Sequence, residues 1–147
     1  MSSAKTTTGP AADSWPCLDQ AEKFPRVLYV DDNDFVRDGF CSVFSVKGWS
    51  CESASNGIDA LSKLTFWPES IDILITDHQM AGMNGLELVR QVRATDFKGK
   101  ILVYSTMLRT EEQAAYEELE VDAIIPKTGN VSRIFEAIEK LQQPPAP

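Results

Sequence analysis

Three cysteines in 147 residues, Cys17, Cys41 and Cys51, are too few and too irregularly spaced for a disulfide framework, and no CxxC pair is present. His78 is the only histidine, so a zinc site built from thiolates and imidazoles is excluded as well. The cysteines read instead as small apolar residues in a reducing compartment. No apolar run approaches the ~20 residues needed to cross a bilayer. The opening stretch MSSAKTTTGPAADS lacks the apolar core of a secretion signal. The cytoplasm is therefore the expected location, and no membrane is an expected partner. Basic residues are scarce: 14 Lys and Arg stand against 22 Asp and Glu, a formal charge of −8. Direct binding of nucleic acid or of an anionic lipid surface needs clustered cations, so neither is expected. No Gly-rich loop follows the first candidate strand, which removes the usual cradle for a nucleotide or flavin.

What is present is a single domain between two tails. Residues 1–25, rich in Thr, Ala, Pro and Gly without a sustained period, read as a flexible tail on which Trp15 and Leu18 are the residues able to pack. Residues 143–147 read as a stop or linker start, because Pro144, Pro145 and Pro147 cannot continue a helix. Within 26–142, short β-branched runs alternate with segments of helical period. The strand candidates are Arg26–Val30, Trp49–Ala54, Ile71–Thr76, Lys100–Tyr104 and Val121–Ile125. Val36, Phe40, Val43 and Phe44 form the buried stripe of the first helix, and Ile134, Ile138 and Leu141 that of the last. Asn84 with Glu87 and Thr110 with Gln113 have capping-box spacing, and Asn130 is placed to cap the last helix. Five βα units in succession imply an α/β fold, a doubly wound five-stranded parallel sheet.

In such a sheet, ligands bind beyond the carboxyl ends of the strands. The residues that arrive there are Asp31 and Asp32 after the first strand, Asp77 after the third, Ser105 and Thr106 after the fourth, and Lys127 after the fifth. Carboxylates held a few ångströms apart repel by roughly 4 kcal/mol per pair at an effective dielectric near 20. A divalent cation relieves that repulsion, and oxygen donors with an open position suit Mg²⁺. With Mg²⁺ and Lys127 neutralising phosphoryl oxygens and Ser105 donating to another, an Asp77 oxygen can attack phosphorus and form an acyl phosphate.

The ordered set Val30-Asp31-Asp32, Ile75-Thr76-Asp77-His78-Gln79-Met80, Met83-Asn84-Gly85, Ser105-Thr106 and Lys127 resembles the receiver domain of two-component response regulators, from Arg26 to about Leu141. The resemblance implies the flavodoxin-like strand order 2-1-3-4-5. It also implies Asp77 as phospho-acceptor, Mg²⁺ held by Asp31, Asp32, Asp77 and the Gln79 carbonyl, and Ser105, Thr106 and Lys127 as sensors of the phosphoryl group. The implied phosphoryl donor is a sensor histidine kinase or a histidine phosphotransfer protein. Output to an effector or a homodimer partner would run through the face formed by the fourth helix, fifth strand and fifth helix, here Met107, Glu111, Glu112, Tyr116 and Ile124. Three positions depart from the family's pattern: Ala81 where Pro is common, Thr128 where Pro follows the Lys, and Ile124 where an aromatic is common. Without that aromatic, another group must report the phosphorylation state.

Plainer readings stand beside these. Asp31-Asp32 is also what a solvated turn looks like, and Lys127 and Ser105 are common strand-end types. His78 is expected to be an exposed loop residue, and Glu111, Glu112, Glu117, Glu118 and Glu120 a solvated face that favours a basic partner. Phe66, Trp67 and Trp49 read as packing residues, Trp67 also as a contact if exposed. Two rival functions remain. Asp32-Asn33-Asp34-Phe35-Val36 loosely matches the DxDxV pattern of haloacid dehalogenase-type phosphohydrolases, and a receiver-shaped interaction domain could act without phosphorylation.

Overall fold

The computed structural model describes residues 25–128 and 130–142. The expected tails lie outside the described residues, apart from Pro25 of the first, and so do Trp15, Cys17 and Leu18. Five strands, β1 (Arg26–Val30), β2 (Ser50–Ala54), β3 (Ile73–Thr76), β4 (Lys100–Ser105) and β5 (Ala123–Pro126), form one parallel sheet in the order β2-β1-β3-β4-β5. Helices α1 (Asp34–Val46), α2 (Gly57–Phe66), α3 (Gly85–Arg93), α4 (Thr110–Glu118) and α5 (Ser132–Gln142) complete the five βα units.

The side-chain period of two divides each strand between two cores. Val27 and Tyr29 face α1 and α5, joining Phe40, Phe44, Trp49, Ile134, Phe135 and Ile138. Leu28 and Val30 face the other layer with Leu64, Leu88, Val89, Val92 and Tyr116. The first core is rich in aromatic rings. Phe44 stacks on Trp49 with ring centroids 5.8 Å apart and meets Phe135 edge-on at 5.0 Å. Covering both faces of the sheet explains why β3 is buried along its whole length.

Strand boundaries shift where side chains take over backbone bonds. β3 begins at Ile73, not Ile71, because the Asp72 carboxylate accepts from the Arg26 amide at 2.8 Å and from its guanidinium. β5 begins at Ala123, not Val121, because Asp122 is occupied with Ile101 through both its amide and its carboxylate. Pro126 ends β5 without loss, since an edge strand does not need its missing N–H. Trp49 precedes β2 and serves as a core ring.

The asparagine caps form as read. Asn84 and Glu87 make both bonds of their box, at 2.9 and 3.0 Å, and Asn130 accepts from the Ser132 amide at 3.1 Å. The Thr110–Gln113 pair does not form. The chain enters α4 one residue earlier, with Arg109 at the cap position, and Glu112 accepts from the Arg109 amide at 2.8 Å. Phe66 and Trp67, expected to pack, lie at the exposed end of α2, 71% and 58% accessible. Leaving the helix there spends them on solvent.

Candidate functional site

The register of the sheet delivers Asp31, Asp77, Ser105 and Lys127 to one edge, because each ends its strand or directly follows it. Asp31 is buried, 1% accessible. Its Oδ1 accepts from the Asn33 amide at 3.0 Å, and its Oδ2 from the Tyr29 hydroxyl at 2.9 Å and from Lys127 Nζ at 3.0 Å. Burial, reinforced by the charge of Asp31, pushes the Tyr29 phenol well above its ordinary range, so it stays a neutral donor.

Asp77 is half-buried. Its amide donates to the Val30 carbonyl at 3.0 Å, which fixes it beside Asp31. Oδ1 accepts from the His78 amide at 2.8 Å, and Oδ2 lies 3.3 Å from Lys127 Nζ. Burial raises the Asp77 carboxyl above the usual value; Lys127 opposes the rise and Asp31 adds to it. For Lys127, burial pulls downward, but hydrogen bonds and charge from Asp31 and Asp77 outweigh it and leave the ammonium raised. Lys127 is thus locked as a cation between two carboxylates. Its own amide donates to the Ser105 carbonyl at 2.8 Å, tying the fifth strand's exit to the fourth's. The Ser105 hydroxyl is buried and has no hydrogen-bond partner among the described residues.

The full convergence of carboxylates expected from the sequence is not what the described residues show. Asp31 and Asp77 share Lys127, while Asp32 is exposed and its Oδ2 accepts from the Ala81 amide at 3.1 Å. Among the described residues, no three acidic, histidine or cysteine side chains close into a metal-binding group. The reason is local: Lys127 satisfies the inner pair, and the turn into α1 carries Asp32 outward to the β3–α3 loop. The donor set still fits Mg²⁺ in kind, with three carboxylates against one ammonium, all ligands hard oxygen, and a net negative charge that burial makes costly. Gln79 is exposed on the same loop, and Thr106 is exposed beyond Ser105.

Four residues lie elsewhere than the sequence pattern places them: His78, Tyr116, Ile124 and Glu112. His78 is buried, 5% accessible, not an exposed loop residue. Its Nδ1 lies 2.7 Å from the Tyr116 hydroxyl and its Nε2 lies 3.1 Å from Glu112 Oε2. Tyr116, assigned to the output surface, is fully buried, and Ile124 is half-buried against the same core. Glu112 leaves the solvated face to bind the imidazole. The Arg109 amide and then His78 hold its carboxyl down at about 2. Met107 and Glu111 are exposed as expected. A signal for Tyr116 existed, since it and Leu119 are the large apolar residues of an otherwise charged helix. For His78 there was none, because its partners lie 34 and 38 residues away.

Gly85 makes this contact possible. A Cβ there would meet the Asp77 carbonyl at 2.3 Å and the Tyr116 hydroxyl at 2.7 Å. We expect Tyr116→Phe to cost about 1–2 kcal/mol by leaving a buried imidazole nitrogen unpaired. Urea unfolding at pH 7 measures this, and an unchanged midpoint would remove His78–Tyr116 as a stabilising bond.

An open parallel sheet whose strand ends present acidic residues, a paired lysine and an unpartnered buried hydroxyl defines a class of α/β domains with one polar site at the sheet's carboxyl edge. The chain belongs to the response regulator receiver domain family, whose model matches residues 27–139. It is a two-component phosphorelay receiver, and the haloacid dehalogenase reading falls with that assignment. The chain is 31% identical over 116 residues to the response regulator MprA of Mycobacterium leprae, covering 79% of this chain and 50% of that protein. It is 33% identical over 102 residues to MprA of Mycobacterium avium, covering 69% and 44%. The chain thus spans about half the length of these curated relatives. A response regulator receiver protein from Pseudomonas putida superposes with a TM-score of 0.75 at 27% identity, over 82% of this chain and 99% of that one. TrrA from Thermotoga maritima, solved in complex with Mg²⁺–BeF, does so with a TM-score of 0.68 at 26% identity, over 80% and 99%.

Proposed function

We propose that Asp77 accepts the phosphoryl group, with Lys127 and Ser105 binding its oxygens and Thr106 at the edge of the same site. The observation that carries this reading is the pairing of Lys127 Nζ with Asp77 Oδ2 at 3.3 Å, at the sheet edge where the buried Ser105 hydroxyl has no hydrogen-bond partner among the described residues. An Asp77 oxygen attacks phosphorus as the bond to the donor's imidazole nitrogen breaks, giving an acyl phosphate on Asp77 and a neutral donor histidine. Lys127 faces the charge that spreads over the phosphoryl oxygens, and Ser105 gains the acceptor it lacks. Asp31, Asp32, Asp77 and the Gln79 carbonyl would hold Mg²⁺, which supplies further neutralisation of that charge when bound. That TrrA, similar to this chain, was solved in complex with Mg²⁺–BeF supports a magnesium ion in the reading.

The donor in this proposal is a phosphohistidine of a sensor kinase or phosphotransfer protein. The product biases partner binding through the exposed Met107 and Glu111, toward an effector or a second copy of the chain. The reaction is self-catalysed transfer with slow loss, not turnover of a free substrate. Among the described residues no helix is long and apolar enough to cross a membrane, consistent with a cytoplasmic site of action. The domain in this proposal spans 26–142.

Acetyl phosphate with Mg²⁺, followed by borohydride trapping and peptide sequencing, tests the assignment. The trapped residue should be Asp77; modification elsewhere would refute it. Chelation by EDTA should slow labelling at least about tenfold, equal to about 1.4 kcal/mol of barrier, and an unchanged rate would remove the metal from the scheme.

A further inference from the structure

Cys41 lies on α1 and Cys51 on the edge strand β2, in register with Val27. Their sulfurs are 2.7 Å apart, closer than the ~3.5–4.0 Å at which two non-bonded carbons rest. Two thiols that merely filled space would not need such an approach. Both are part-exposed, and an open groove of about 720 Å³ lined by Asp38, Ser42, Ser45 and Ser50 leads to them. Cys41 and Cys51 are free thiols, as the sequence reading has them, but they are in contact rather than separately packed. Nothing in the sequence spacing signals it, because only the packing of α1 on β2 brings the two together.

We propose that Cys41 and Cys51 are an attacking and a resolving cysteine that together reduce a small uncharged aliphatic disulfide and close into an intrachain disulfide. The site is independent of phosphoryl transfer. The contact with Cys51 lowers the Cys41 thiol below its ordinary value, whereas the same contact and burial raise Cys51, in keeping with attack by Cys41. The Cys41 thiolate attacks one sulfur of the reagent RSSR, forming a mixed disulfide and releasing RS⁻, which takes up a proton. Cys51, as its proton leaves to solvent, attacks the Cys41 sulfur and expels the second RS⁻. Two protein thiols are oxidised by two electrons, and the reagent is reduced to two RSH. An uncharged reagent is specified because the sulfurs lie among charges of both signs, Glu52 and Asp38 ahead of the opposing Arg37.

The full chain, treated with bis(2-hydroxyethyl) disulfide at neutral pH and then alkylated, tests this. Alkylatable thiols should fall from three to one, and trypsin, which cuts at Lys47, should yield two peptides joined through Cys41 and Cys51. Dithiothreitol should restore all three. In Cys51→Ser the reaction should stop at a mixed disulfide on Cys41. The native chain should close at least about tenfold faster than the chain unfolded in urea. Three thiols persisting, a link through Cys17, a mixed disulfide on Cys41 that never closes, or equal rates in urea would each overturn the proposal.

Discussion

Asp77→Asn should take no phosphoryl group from acetyl phosphate and Mg²⁺, while remaining folded and melting higher than the parent at pH 7. The two halves have one cause. Asparagine keeps an acceptor for the His78 amide but has no carboxylate oxygen to attack phosphorus. It also removes a charge that burial and Asp31 disfavour despite Lys127. A carboxyl whose folded pKa is raised contributes stability that is present below its unfolded value of 3.8 and lost as pH rises through the folded value. The gain from Asp77→Asn should therefore be full near neutrality and fade on acidification. Radiolabel incorporation and thermal melts from pH 3 to pH 8 read the two halves separately. Labelling equal to the parent's would end Asp77's role, and a lower melting temperature at pH 7 would show that its pairing with Lys127 outweighs burial.

The positions that chemistry restricts most are legible in the sequence. Asp31, Asp77, Ser105 and Lys127 each follow a β-branched run, and five βα units permit few topologies, so the meeting of these four at one sheet edge followed from pattern alone. What pattern cannot supply is the competition among partners once they meet. Asp32 turned outward to Ala81, and Lys127 took the place between Asp31 and Asp77, because hydrogen-bond geometry, not residue type, decides which carboxylate is satisfied by which donor. Tyr29 shows the same limit. Its alternation marks it as core, yet its hydroxyl is a ligand to Asp31. His78 and Tyr116 were hidden for a related reason, since a polar residue reads as exposed until a buried partner accounts for it.

That competition makes Lys127 the residue whose charge matters most to the site. Lys127→Met keeps an aliphatic stem of similar length against the Tyr104 ring and deletes the ammonium. It leaves the side chains of Asp31 and Asp77, 2% and 13% accessible, facing each other without a cation. Removing one partner of a buried ion pair costs about 3–5 kcal/mol. Lys127 is 21% accessible, and Asp31 retains the Tyr29 and Asn33 donors, so about 2–3 kcal/mol is expected here. The pH dependence separates this from lost packing. Lys127 is raised in the folded protein, so its stabilisation is intact below its unfolded value of 10.5 and is lost as pH rises through the folded value. In Lys127→Met the Asp77 carboxyl loses the cation that opposes its rise and shifts further up, and its share of the penalty exists only where it is ionised. The gap in unfolding free energy between parent and variant should be widest near pH 7, shrink toward pH 3 as Asp77 protonates, and shrink again above pH 11 as the parent's own ammonium discharges. Packing loss would give a gap independent of pH, and urea titrations at those three values distinguish the two.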